Sequence, residues 1–252
     1  MKKFNSILVI SVILVILAMS IWPSGLFAKE TSLSFPEENF TTPESAINYF
    51  INSLKKNDLR KAFTACTIDE YSQGFDFEAY TNRIQAIVFP SSPAPSEYPF
   101  YVELNKYERM ARLARQIKFF CYSLSATEKE YTVTISNPTK ERIAAFIESS
   151  NPAGLSELEI ISIDKPELVE NERHKSNEKI RAKCFGAQDG TERIVLFKLK
   201  GLEFYYSGFH LLKYGQSWKI DELHSSLAGT SALGTAEKIE VSDYKRLIEP
   251  KL

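Results

Sequence analysis

Apolar positions first follow a helical period. Ile47, Phe50, Ile51 and Leu54 recur at the steps of three and one that line one helix face. Thr42-Pro43-Glu44 precede them, offering an N-cap hydroxyl, a first-turn proline and an acid at the positive dipole end. Lys55, Lys56 and Asn57-Asp58 suit the stop. Leu59, Ala62, Phe63 and Cys66 repeat the spacing, so the pattern predicts a tight helix hairpin. Phe77 to Val88 is compatible with a short helix, and the three prolines within Phe89–Pro95 predict a loop. From Phe100 to about Ile117 the helical period returns. Leu104, Tyr107, Met110, Ala114 and Ile117 share one face, while Glu103, Lys106, Arg109, Arg112 and Arg115 read as a solvated face.

The period then changes. Lys118–Leu124 is rich in aromatics, and Tyr131–Ile135 predicts a strand. Thr139–Ser149 predicts a short helix stopped by Asn151-Pro152. Strand-like runs follow at Leu158–Ile163, Ile180–Phe185, Ile194–Leu199, Leu202–Tyr214 and Ser217–Leu223. Val169–Glu178 reads as a polar loop, and Tyr214-Gly215-Gln216-Ser217 as a hairpin turn. In the last run Trp218 and Ile220 share a face expected to point inward, leaving Lys219 and Asp221 on the other side. Ser225–Thr235, rich in small residues, reads as a linker to a tail ending at Leu252. Helices followed by strands give an α+β class.

The N-terminus changes the setting. Met1-Lys2-Lys3 leads into an uncharged apolar run, Ile7–Ile21, and then Trp22-Pro23-Ser24-Gly25-Leu26-Phe27-Ala28. A basic start, a 15-residue apolar core and a helix-breaking small-residue exit are the parts of a secretory signal. Two outcomes are open: cleavage after Ala28, or retention as an anchor on the outer face of the cytoplasmic membrane. Either leads to an exported, extracytoplasmic protein. The expected organisation is a signal at 1–28, a spacer at 29–40, the α+β domain at 41–224 and a linker and tail at 225–252. Without residues 1–28, which hold two lysines and no acid, the formal charge is −3. That supplies no general attraction to nucleic acid. Membrane contact is expected only if the N-terminal segment is retained. Cys66, Cys121 and Cys184 allow at most one internal disulfide and read chiefly as small buried apolar residues.

Two stretches resemble a known family. Thr42-Pro43-Glu44-Ser45-Ala46-Ile47-Asn48-Tyr49-Phe50, continuing through Lys56-Asn57-Asp58-Leu59-Arg60-Lys61-Ala62-Phe63, looks like the opening of exported NTF2-like (cystatin-like, cone-shaped) domains of bacterial envelope proteins. Phe209-His210-Leu211-Leu212-Lys213-Tyr214-Gly215-Gln216-Ser217-Trp218-Lys219-Ile220-Asp221 is similar to their final hairpin. The resemblance covers about 40 residues at the two ends of the domain and implies N-terminal helices packed on a curved, mostly antiparallel sheet, with an insertion in the middle. It implies a fold and not an activity.

Chemistry is sparse in the sequence. There is no Gly-x-Ser-x-Gly, phosphate-binding loop or dinucleotide fingerprint, and no two His or Cys residues sit at metal-ligand spacing. No cofactor, metal or catalytic residue is therefore assigned. His174 reads as part of a solvated loop, and His224 as an edge residue. His210 lies inside a strand and shares a face with Phe204 and Tyr206, three residues that would line a pocket if that face were hollow. Two classes follow. The first is a non-catalytic extracytoplasmic module that binds a protein or small-molecule partner or supports an envelope assembly. The second is a pocket protein or enzyme of hydrolase or isomerase type built around His210.

Overall fold

The computed structural model describes residues 35–125, 136–199, 201 and 203–249. The expected signal segment and the strand expected at Tyr131–Ile135 lie outside the described residues.

The chain opens with α1 (Pro43–Lys55), capped as its sequence predicts. Thr42 Oγ1 accepts from Ser45 N while Ser45 Oγ accepts from Thr42 N, so two otherwise orphaned donors satisfy each other. Asp58 caps α2 (Leu59–Thr64) in the same manner, accepting from Lys61 N. Ile47, Phe50, Ile51, Leu54, Ala62 and Phe63 are all buried, which makes this hairpin one wall of the main core. Short helices α3 (Asp69–Gln73) and α4 (Phe77–Ile84) lead to α5 (Pro99–Ser125), 27 residues long and spanning about 40 Å.

The sequence pattern of α5 misleads at both ends. The aromatic run at Lys118–Leu124 continues the helix, and Phe120 and Leu124 enter the core beside Leu113 and Ile117. Leu104 and Tyr107, expected inside, are exposed, whereas Arg109, expected in solvent, is buried. In the first half of α5 the buried positions are the polar Asn105 and Arg109, which bond to Ala94, Thr67 and Asp221, so the apolar Leu104 and Tyr107 are left facing outward.

After α6 (Lys140–Ser149) comes an antiparallel sheet of β1 (Glu159–Asp164), β2 (Asp189–Leu199), β3 (Glu203–Tyr214) and β4 (Ser217–Glu222), in that order. A two-residue strand, β5 (Glu237–Lys238), pairs with Tyr205 and Tyr206 of β3. Gly215 takes a positive φ in the β3–β4 turn, as expected. Between β1 and β2 the polar loop and the strand expected at Ile180–Phe185 are replaced by one helix, α7 (Glu172–Lys183). Asn171 caps it, accepting from Arg173 N and His174 N, and the four-residue spacing of Glu178 and Ala182 buries one face. The charged run that looks like a loop is the solvent side of a helix.

Both faces of the sheet are covered. Val195, Phe197, Tyr205, Phe209 and Ile220 pack against α1, α2 and α5. Ile194, Leu196 and Tyr206, which alternate to the other face, pack against Ala228 and Tyr244 of the C-terminal segment. Residues 225–235 are thus no linker: Ser225, Thr230 and Thr235 are buried, and α8 (Val241–Ile248) places Tyr244 against β2, its hydroxyl donating to Ile194 O at 3.2 Å. Small side chains serve here for close approach to the sheet. Gly208 permits it, because a Cβ there would lie 2.3 Å from Ser225 N and 2.7 Å from Thr230 Oγ1. The outer edge of β4 is covered too. Trp218 N donates to Phe40 O at 2.8 Å, Ile220 N to Ala65 O at 2.8 Å, and Thr67 N to Ile220 O at 2.9 Å. Lys219, expected on the surface, is enclosed by this cover and donates to Thr64 O at 2.7 Å.

Candidate functional site

Where β3 and β4 meet side chains from α5 and α7, charged groups gather inside the protein. Their organiser is Asp221. The pairing of β3 with β4 steps from Leu211 opposite Ile220 to His210 opposite Glu222, so Asp221 is the extra residue of a β-bulge. A bulge redirects a side chain, which is why simple alternation places Asp221 wrongly on the surface. Its Oδ1 accepts from Arg109 Nη2, which also donates to the Asp221 carbonyl. Its Oδ2 accepts from Arg181 Nη2 and from His210 Nδ1, each at 2.9 Å. Arg109 is fixed further by Thr67, whose carbonyl accepts from Nε at 3.0 Å and whose hydroxyl accepts from Nη2 at 2.8 Å. The guanidinium lies 4.4 Å from the centre of the Tyr71 ring, which stacks on Phe185.

His210 joins this cluster to α7, donating from Nε2 to Glu178 Oε2 at 2.6 Å. Gly190 makes the approach possible, because a Cβ there would lie 2.9 Å from the same oxygen. Beside them Glu192 accepts from Ser225 Oγ, from Ser226 Oγ at 2.7 Å and from Leu227 N at 3.1 Å. Toward the surface, Glu222 Oε1 accepts from Arg112 at 2.6 Å.

Burial penalises each charge, and the neighbours reverse that penalty. For Asp221, burial raises the pKa, but Arg109, His210 and Arg181 hold it far below the ordinary carboxylate range. Burial and the Arg181 charge push the His210 imidazole down, yet its hydrogen bonds to Asp221 and Glu178 hold it above its ordinary value. Burial raises the Glu178 pKa, but the hydrogen bond and charge of His210 outweigh burial, so the net shift is downward. A carboxylate at each ring nitrogen favours the protonated ring, with both N–H groups engaged. Such a histidine clamps two elements and has no lone pair with which to accept a proton.

The three expected pocket residues share a strand face but not a site. His210 is in the charge cluster. Tyr206 donates from its hydroxyl to Glu237 Oε2 at 2.9 Å, and Phe204 packs beside it against the C-terminal segment. Gly208, overlaid by Ser225, separates the two regions. His224 is half-buried just after β4, and His174 lies on α7, four residues before Glu178. The three cysteines are free thiols. Burial pushes Cys66 up to about 12 and Cys121 to about 11. Sequence reasoning missed Arg109, Glu178, Arg181, Glu192 and Asp221. The available signal was the four-residue spacing of His174 and Glu178, which is informative only once that segment is a helix.

No family model matches the chain, and no curated protein matches it. Among solved structures, the chain is similar to a cystatin-like protein from Ruminococcus gnavus. The two are 24% identical with a TM-score of 0.50, over 79% of this chain and 44% of that one. The match thus spans less than half of that protein. At this identity the likeness concerns the fold alone, and the α+β arrangement of helices on a curved antiparallel sheet is cystatin-like, a fold related to the NTF2-like cone.

Proposed function

We propose that this chain is a non-catalytic extracytoplasmic binding module, exported by its N-terminal segment, that docks a partner protein in the bacterial envelope. The observation that carries the non-catalytic part is the double engagement of His210. An enzyme built on that residue would have to break a buried ion pair before the ring could accept a proton.

The binding part is supported by the outward side of the first turns of α5 and the loop before it. Phe89 is 90% exposed and Phe100 74% exposed. Phe100, Leu104 and Tyr107, at steps of four and three, form an outward apolar stripe, with Tyr98 and Tyr101 beside it. Exposed apolar surface with many aromatics is typical of protein contact sites. Flanking charges of both signs, Glu103, Lys106 and Glu108, suit a protein surface better than an anionic lipid layer.

The test is in-cell photo-crosslinking from position 100 of the full chain. The expected product is a discrete adduct with a second protein, reduced at least tenfold when Phe89 and Tyr98 are both serine and unchanged in His210→Asn. An adduct only with lipid, only with itself, or insensitive to the serine changes overturns the docking surface. A reporter active only outside the cytoplasm, fused after residue 30, tests export.

A further inference from the structure

We propose that His174, Glu178 and Glu192 form a binding site for a divalent first-row transition cation, a role distinct from partner docking. His174 and Glu178 stand four residues apart on α7 and so share one helix face. Glu192 projects from β2 on the sheet face that α7 covers. One ligand atom from each of the three lies within 4.8 Å of the other two. Ligands bonded at about 2.1 Å to a tetrahedral ion sit about 3.4 Å apart, so small side-chain rotations close the set.

Two independent observations ask for a cation there. Glu192 is 1% exposed and, among the described residues, its carboxylate meets only neutral donors: Ser225, Ser226 and the Leu227 amide. A buried anion ordinarily has a counter-charge. His174 Nε2 is closed to solvent and has no hydrogen-bond partner among the described residues. A metal ion would satisfy both groups, since imidazole nitrogen and carboxylate oxygen are its usual donors.

Supporting contacts are already in place. His210 orients Glu178 through the 2.6 Å contact at Oε2, and the Ser225–Leu227 turn orients Glu192. Carboxylates and imidazoles that ligate metals are held by such outer partners. Two carboxylates with one imidazole favour ions such as zinc or manganese over the all-oxygen preference of calcium and magnesium. His174 is only partly buried as a residue, and three protein ligands leave a position for water or for a group from a partner.

The test is zinc titration of the full exported chain, stripped with chelator, against a chromogenic competitor. One equivalent should bind, at least tenfold more weakly in His174→Ala and in Glu192→Gln, and equally well in His224→Ala. Added zinc should raise the Tm of the unaltered protein and leave that of His174→Ala unmoved, which separates loss of ligation from loss of folding. No binding at micromolar zinc, equal binding by His174→Ala, or a cobalt spectrum with thiolate bands, which would place the ion on cysteines, overturns the site.

Discussion

His210 donates from Nδ1 to Asp221 Oδ2 at 2.9 Å, and each side chain is 2% exposed. The pair ties the middle of the sheet to its bulged last strand. Its two members respond to pH in opposite directions. The imidazole pKa is raised in the folded protein, so its stabilising contribution is complete below about pH 6.5 and is lost as pH rises through the native value. The Asp221 and Glu178 pKa values are lowered, so their contribution is complete above about pH 4 and is lost as pH falls. Urea midpoints are therefore expected to hold between about pH 4 and pH 6.5 and to drop on the alkaline side. His210→Asn should remove that alkaline drop; an unchanged alkaline slope in the variant would assign it to other groups.

Removing the organising carboxylate should be far costlier than removing a rim cation. Asp221→Asn leaves Arg109, itself buried, without its counter-charge, and a loss of about 3–5 kcal/mol is expected. Arg112→Ala breaks the pair with Glu222, but the Arg112 side chain is 56% exposed, and the loss should stay below about 1 kcal/mol. Chemical denaturation of the two variants measures the contrast, and equal losses would contradict the cluster.

Lys219 offers a second contrast with its neighbour. Simple alternation makes it a disposable surface charge, but it is 6% exposed and bonded to Thr64 O. Lys219→Ala should cost about 1–3 kcal/mol, because the Thr64 carbonyl loses its buried donor. Trp218 packs against the core from a partly buried position, so Trp218→Ala should fall below the roughly 3–5 kcal/mol of a fully buried aromatic. Thermal melts of both variants would show whether the Lys219 cost is real; a loss under about 0.5 kcal/mol would return it to the surface.

Gly208 tests the docking of the C-terminal segment. Gly208→Ala places a Cβ against the Ser225 backbone, which must move. Protease sites between residues 225 and 240 should become at least tenfold faster to cleave, while α1 and α2 stay protected. Unchanged cleavage would mean that the segment does not depend on this contact.

Elements whose causes are local were legible along the chain. The α1–α2 hairpin is specified by Thr42, Asp58 and a repeated apolar spacing, and the β3–β4 hairpin by Gly215 between two apolar runs. Those stretches also carried the resemblance to the NTF2-like fold. What lay beyond local reach was every feature in which a residue's neighbour is distant in the chain. Arg109 looks like a solvated charge until Asp221, 112 positions away, becomes its partner. Asp221 looks exposed until a bulge turns it inward, and Lys219 until Phe40 and Ala65 close over the strand edge. Ser225–Thr235 looks like a linker because small residues suit both flexible chain and close packing; Gly208 decides for packing. His174, Glu178 and Glu192 become one cluster only when a helix sets the first two on one face and the sheet brings the third beneath them. Periodicity reports which side of an element is apolar. Burial of a charge depends on whether a counter-charge arrives, and only the tertiary structure supplies it.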